Sequence, residues 1–338
     1  MPDSLTDLLA AAYSARTGLM TRLHAEQTDA YRLFHGSVEG LPGLTVDRYA
    51  DLVLVQSFHE PLTPEQQAAI EDYYGAALPD AAVIYNDRSQ ANSRIRNPLT
   101  EAQKIAAHTP RIAHEMGVAY RIQGRHAGQD PWLFLDLRAG RRRVMREAPG
   151  KSVLNLFAYT CGVGIAAAKA GADFVVNVDF AESSLAVGRE NARLNELPIR
   201  PRFVQSDVFP AVRQYAGLGQ PKVVRGKRLP PFPALEARQF DLVFLDPPRY
   251  AKSPFGVVDL IHDYPALFKP ALLATAEGGT LICCNNVAEV GRESWLDQLQ
   301  RSAHKAGREI RDMEWIPPEA DFPSPDGNPP LKIALLRV

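Results

Sequence analysis

The sequence has only three cysteines in 338 residues, and two of them, Cys283 and Cys284, are adjacent. Three thiols cannot build a disulfide framework, so a reducing compartment is expected. Neither sign of charge dominates: 38 Lys+Arg against 39 Asp+Glu leave a net charge of -1. That balance excludes a chain that coats nucleic acid indiscriminately and requires any basic surface to be local. No apolar run approaches the length of a membrane span. The apolar stretch 8–13 is preceded by Asp3 and Asp7, where a secretory signal would carry positive charge. A short amphipathic helix and a cytoplasmic protein are therefore expected. The eight histidines lack metal-ligand spacing; His114-Glu115 opens like a metalloprotease motif, but no second histidine follows, and no metal is expected. A Walker-type loop, internal repeats and low-complexity tracts are all missing.

What is present reads as two domains behind an N-terminal helix: 1–22 as the helix, 23–127 as a small α+β domain that could touch RNA, and 128–338 as a larger α/β domain. In the first third, 31–58 reads as strand, turn, strand, 64–74 as a helix and 82–85 as a strand. A polar stretch with Arg88, Arg94 and Arg96 follows, and 118–135 reads as a hairpin turning through 124–130. From residue 151 short apolar runs at 152–157, 174–178, 203–205, 242–245 and 280–284 alternate with helical stretches, which implies a parallel sheet covered on both faces. The runs 309–315 and 331–338 are joined by a Pro-rich loop without a helix, so this last pair should be antiparallel. Such a layout is that of class I methyltransferases, a Rossmann-like sheet, and not of nicotinamide dehydrogenases.

Ligands of these sheets bind beyond the carboxyl ends of the strands. After the first strand, Gly162 and Gly164 let backbone amides approach a ligand, although a tight turn that binds nothing would use the same pair. Asp179 ends the second strand, where it could accept from ribose hydroxyls, and Asp207 follows the third, within reach of an adenine amino group. Each acid could equally be a helix N-cap. The fourth strand runs into Asp246-Pro247-Pro248-Arg249-Tyr250. Two prolines stiffen that loop, the acid and backbone carbonyls face the transfer site, and Tyr250 offers a ring for stacking, which suits a planar base.

With these residues in place, the chain from about residue 30 onward resembles the bacterial large-subunit rRNA methyltransferases that make 5-methylcytosine, with a related branch making 7-methylguanine. The marks are Glu39-Gly-Leu-Pro-Gly-Leu-Thr-Val-Asp-Arg48, Phe134-Leu-Asp136-Leu-Arg138, the loop from Asn155 through Phe157 to Gly164, and Asp246 to Tyr250. The resemblance implies S-adenosylmethionine as cofactor, held by Phe134, Asp136, Arg138, Asn155, Phe157, Gly162, Gly164, Asp179, Asp207 and Asp246. It implies catalytic work for Asp246, Pro247, Pro248 and Tyr250, and RNA as partner.

The chain departs from that family in three ways. The PUA domain with which the 5-methylcytosine members usually begin is not expected here, since the residues before the small domain leave no room for one. An insertion at 217–239 carries Lys222, Arg225, Lys227 and Arg228, either as phosphate contacts or as a solvated loop. Third, the family's nucleophilic thiol position falls here on Asn286, with Cys283 and Cys284 three and two residues too early. Asn285-Asn286 resembles the 7-methylguanine branch, whose target needs no covalent adduct; a bulge in the strand would restore Cys284 as nucleophile. The run Arg138, Arg141, Arg142, Arg143 and Arg146 reads as a solvated face or an RNA contact. The rival readings are a protein or small-molecule methyltransferase and a noncatalytic RNA-binding protein.

Overall fold

The computed structural model describes residues 4–91, 97–126, 130–219, 223–224, 227–228, 232–253, 256–261 and 263–338. Arg94, Arg96, Lys222 and Arg225 lie outside them, as do the side chains of Lys227, Arg228 and Tyr250. The chain divides into two compact units, 1–136 with 319–325, and 137–318 with 326–338. The sequence reading had placed the division at 127/128 and left 319–325 in the second unit.

In the first unit, helix α1 (Leu5–Ala25) starts at a Ser4–Asp7 capping box. Strands β1 (Ala30–His35), β2 (Leu44–Tyr49) and β3 (Leu52–Ser57) form an antiparallel meander, and α2 (Pro64–Ala77) crosses to β4 (Ala82–Asp87), parallel to β3. The helices bury Leu9, Leu23, Ile70 and Tyr74 against Tyr31, Phe34, Val53 and Val55. Much of the Glu39–Arg48 motif is structural. Glu39 pairs with Arg16 at 2.6 Å, Asp47 takes Arg32 through both carboxylate oxygens at 2.8 and 3.1 Å, and Arg48 donates to the Tyr31 hydroxyl at 2.8 Å. Asp321 accepts from the Arg32 amide at 2.9 Å and the Phe322 ring lies 4.4 Å from the Arg32 guanidinium carbon, which is why 319–325 belongs to this unit.

Two expectations for this unit need correction. Helix α3 (Glu101–His108) was not anticipated, although Thr100 and Gln103 form a capping box before it. Strand β6 (Val118–Ile122) does not pair with 132–135; its partner is β5 (Arg111–Glu115). The two-residue turn Met116-Gly117 has φ of 52° and 73°, the pair of positive values that a tight hairpin turn demands. Residues 132–135 instead lead into a 3-10 turn, Leu135–Leu137.

The second unit is built on one seven-stranded sheet. After α4 (Arg138–Glu147) come β7 (Ser152–Leu156), α5 (Gly162–Lys169), β8 (Phe174–Asp179), α6 (Glu182–Leu194), β9 (Arg202–Gln205) and α7 (Val208–Tyr215). The insertion carries β10 (Val223–Val224) and β11 (Lys227–Arg228). Then follow β12 (Phe240–Leu245), the hairpin β13 (Tyr250–Ser253) and β14 (Gly256–Asp259), α8 (Tyr264–Leu273), β15 (Thr275–Asn285), α9 (Arg292–Lys305), β16 (Asp312–Ile316) and β17 (Lys332–Arg337). The order is β16-β17-β15-β12-β7-β8-β9. Strands β9, β8, β7, β12 and β15 are parallel, and β16 and β17 antiparallel, as expected. Alternation along β12 and β15 sends Val243, Leu245, Leu281 and Cys283 into one core and Leu242, Phe244, Ile282 and Cys284 into the other. Strand order reverses between β7 and β12, which places the crevice there.

Candidate functional site

Past β7 the backbone is strained. Phe157, Tyr159 and Cys161 have φ of 57°, 50° and 63°, left-handed values at residues that carry a Cβ. Each costs about 1–3 kcal/mol and persists only where the surroundings over-determine it, a situation common at ligand clamps. Those surroundings are visible. Asp179 accepts from the Tyr159 amide at 2.8 Å, the Asn191 amide donates to the Thr160 carbonyl at 3.1 Å, and the Ala158 amide donates to Val178 at 3.0 Å. Gly188 of α6 leaves room for Cys161, since a Cβ there would come within 2.5 Å of its sulfur. The loop then delivers the N-terminus of α5, whose first amides have no partner within the helix.

Two sequence-selected residues of this loop prove to be supports. The Asn155 side chain is buried and donates to Asn177 Oδ1 at 2.9 Å. A Cβ on Gly164 would lie 2.0 Å from that same oxygen, so glycine is required here by packing, whatever binds above.

Asp179 is 5% exposed, and backbone amides of Tyr159 and Ala181 take part of its four-acceptor capacity. Burial pushes its carboxyl pKa up, and the backbone amides partly oppose that. Phe180, next in sequence, is an exposed aromatic that sequence reasoning passed over. Asp207 is half-buried and caps α7 by accepting from the Phe209 amide at 2.9 Å. The N-cap reading of this acid is therefore realised.

At the ends of β12 and β15, Asp246 is half-buried, Pro247 buried and Pro248 exposed. Arg249 pairs with Glu289 at 3.0 Å and so ties this loop to the one after β15. Asn285 is fully buried and Asn286 exposed. The register shift between these strands lies earlier, between Phe240 and Leu242; from Leu242 opposite Thr280 to Leu245 opposite Cys283 the ladder is regular, and β15 stays in register with β17 through Asn285. Both thiols are fully buried, and burial pushes that of Cys283 up to about 12. Tyr264 donates its hydroxyl to the Cys284 carbonyl at 2.9 Å.

Asn155, Phe157, Gly162, Gly164, Asp179, Asp207, Asp246, Pro247, Pro248, Asn285 and Asn286 thus gather at the carboxyl edge of one sheet. Phe134, exposed, and Asp136, half-buried, belong to the first unit, whereas Arg138 opens α4 in the second and is fully buried. The basic run is not a free face. Arg138 and Arg141 are buried, and Arg143 is tied to Glu147 at 3.0 Å and Glu314 at 2.6 Å. Among the described residues no three His, Cys, Asp or Glu side chains converge to hold a metal ion, and no helix is long and apolar enough to cross a membrane.

Residues 31–337 match the family model for S-adenosylmethionine-dependent methyltransferases. "Ribosomal RNA large subunit methyltransferase I" of Aeromonas hydrophila is 30% identical over 318 residues, 92% of this chain and 74% of the relative. "Ribosomal RNA large subunit methyltransferase" of Deinococcus radiodurans is 30% identical over 324 residues, 93% and 74% of the two chains. Among solved structures, a Streptococcus mutans protein described as a SAM-dependent methyltransferase superposes with a TM-score of 0.76 at 23% identity, covering 99% of this chain and 81% of that one. Another, SMU.776 complexed with SAH, superposes with a TM-score of 0.78 at the same identity and coverage. A strained loop, a buried acid with spare acceptor capacity and a second acid one strand over suit a nucleoside cofactor, and the chain belongs to the S-adenosylmethionine-dependent methyltransferase family.

Proposed function

We propose that this enzyme methylates a base of RNA, large-subunit ribosomal RNA in particular, at guanine N7 and without a covalent enzyme–base adduct. Two relatives at 30% identity that carry the large-subunit rRNA name support the substrate. The observation that carries the chemistry is the burial of both strand thiols in opposite cores, with exposed Asn286 at the position past the strand. Carbon 5 of cytosine would need a thiolate nucleophile first. Guanine N7 already has an in-plane lone pair, so alignment suffices.

The bound cofactor supplies an electrophilic methyl group. In this reading Asp179 holds the ribose hydroxyls, Asp207 accepts from the adenine amino group, and Phe180 lays its ring against the base. Asn155 and Gly164 act from below, by keeping Asn177 and the strained loop in place; Phe157 and Gly162 line the loop. Arg138, which opens α4, belongs to the same cofactor-holding set. The Asp246–Pro247–Pro248 turn, with Asn286, grips the edge of the guanine. Methylation at N7 leaves the purine positively charged, and the Asp246 carboxylate stabilises that charge as it develops.

Separating binding from turnover tests these assignments. Asp179→Ala should abolish cofactor binding in calorimetry. Asp246→Ala should bind cofactor and fail to transfer methyl, and normal transfer by that variant would overturn the role given to the loop.

A further inference from the structure

The turn after β15 is pinned by two side chains that the proposed chemistry does not use directly. Asn285 Oδ1 accepts from the Val287 amide at 3.0 Å, while its buried Nδ2 has no hydrogen-bond partner. Across the antiparallel ladder Asn285 faces Lys332, which is 1% exposed. Lys332 Nζ donates to the Val287 carbonyl at 3.0 Å and to the Pro330 carbonyl at 3.4 Å. The peptide joining Asn286 to Val287 is therefore held by Asn285, and the following peptide by Lys332. Exposed Asn286 stands on the first of these two fixed units.

A lysine is a costly choice for this place. Its ammonium is out of water and bound by neutral carbonyls, a costly burial unless a carboxylate compensates. Desolvation, then the Arg292 charge, push its pKa down, against the weaker pull of Glu289 and Asp326. Methionine would fill a similar volume without that penalty, so packing alone does not call for the charge. What lysine supplies and methionine lacks is a donor long enough to reach the Val287 carbonyl from the neighbouring strand.

We propose that Lys332 is a positioning residue for methyl transfer: it locks the 285–287 turn so that Asn286 is presented to the substrate base beside the Asp246–Pro248 loop. The two loops leave neighbouring parallel strands, β12 and β15, and Arg249–Glu289 joins them. This inference rests on the reading of Asn286 as a base-contacting residue.

The test is Lys332→Met, assayed with undermodified ribosomal RNA and normalised to cofactor-binding sites. Misplacement by about 1 Å can cost on the order of 100-fold in rate. We expect kcat to fall about 10- to 100-fold, with cofactor Kd and RNA KM within about twofold and Tm unchanged or raised. The double variant Lys332→Met/Asn286→Ala should be no slower than Asn286→Ala, because Lys332 acts only through that residue. Should Lys332→Met not fold, Asn285→Ala releases the other pin and should show the same split. Normal kcat per site, with or without a lower Tm, overturns the proposal, as does a loss that adds in full to that of Asn286→Ala. If Asn286→Ala slows transfer and Lys332→Met does not, only this proposal falls; if Asn286→Ala is itself normal, the reading of the base site falls with it.

Discussion

Replacing Gly164 by alanine separates two reasons for a glycine in the loop-to-helix segment. The added Cβ would lie 2.0 Å from Asn177 Oδ1, 2.7 Å from its Cγ and 2.8 Å from its Nδ2, so the whole amide must move. Asn177 is fully buried and cannot swing into solvent. Overpacking of this kind costs about 1–3 kcal/mol. Displacing Asn177 also breaks its 2.9 Å bond from Asn155 and leaves a buried amide unpaired, about 1–3 kcal/mol more. Against this, alanine is the better helix former by about 1 kcal/mol. The expected net loss is about 1–5 kcal/mol in urea unfolding. In an Asn177→Ala background the obstacle is gone, so the same substitution should be neutral or stabilising. Equal destabilisation in both backgrounds would refute the packing argument. Unchanged stability with lost cofactor affinity would show that ligand approach alone demands the glycine.

Two further outcomes follow from the second unit. Glu147 is held by Arg337, Arg143 and Lys151, which lower its carboxyl pKa from the ordinary 4.5 to about 2. A depressed acid contributes stability above its unfolded pKa and loses it as pH falls through the folded one. After allowing for solvent screening of partly exposed partners, Glu147→Gln should therefore cost about 1–2 kcal/mol near neutral pH. The gap from the parent should close between about pH 4.5 and pH 2, and a gap independent of pH would refute the ion-pair account. Cys284→Ala should retain methyl transfer within about threefold, with a modest stability loss from the shortened core side chain; abolished turnover with cofactor binding intact would restore a thiol mechanism.

Much of the sheet was legible because buried parallel strands are short apolar runs, and the strand-end residues Asp179, Asp207 and Asp246 follow from where those runs stop. The antiparallel close was readable from the Pro-rich, helix-free connection before β17. The misses have physical causes. The β5–β6 hairpin turns on Met116, a residue with no preference for positive φ, and only Gly117 beside it hinted at the turn. Gly164 is visible as a glycine, but its reason lies 13 residues along the chain in Asn177, which only the fold brings underneath. Arg138 and Arg141 belong to a run that reads as a solvated face or an RNA contact, yet both are within 2% of full burial, and so is Lys332, which no local signal singles out. Burial is decided by tertiary packing, and for charged residues the local sequence argues the opposite way. The strained Phe157–Cys161 loop likewise runs against local propensity at three residues, the kind of conflict expected at a functional site.

The most direct measurement is mass spectrometry of the nucleosides of undermodified ribosomal RNA after incubation with the enzyme and deuterated S-adenosylmethionine. The account predicts label in 7-methylguanine of the large-subunit RNA. Label in 5-methylcytosine would contradict the noncovalent reading and return Cys284 to the centre, and label in no nucleoside would contradict RNA as the substrate.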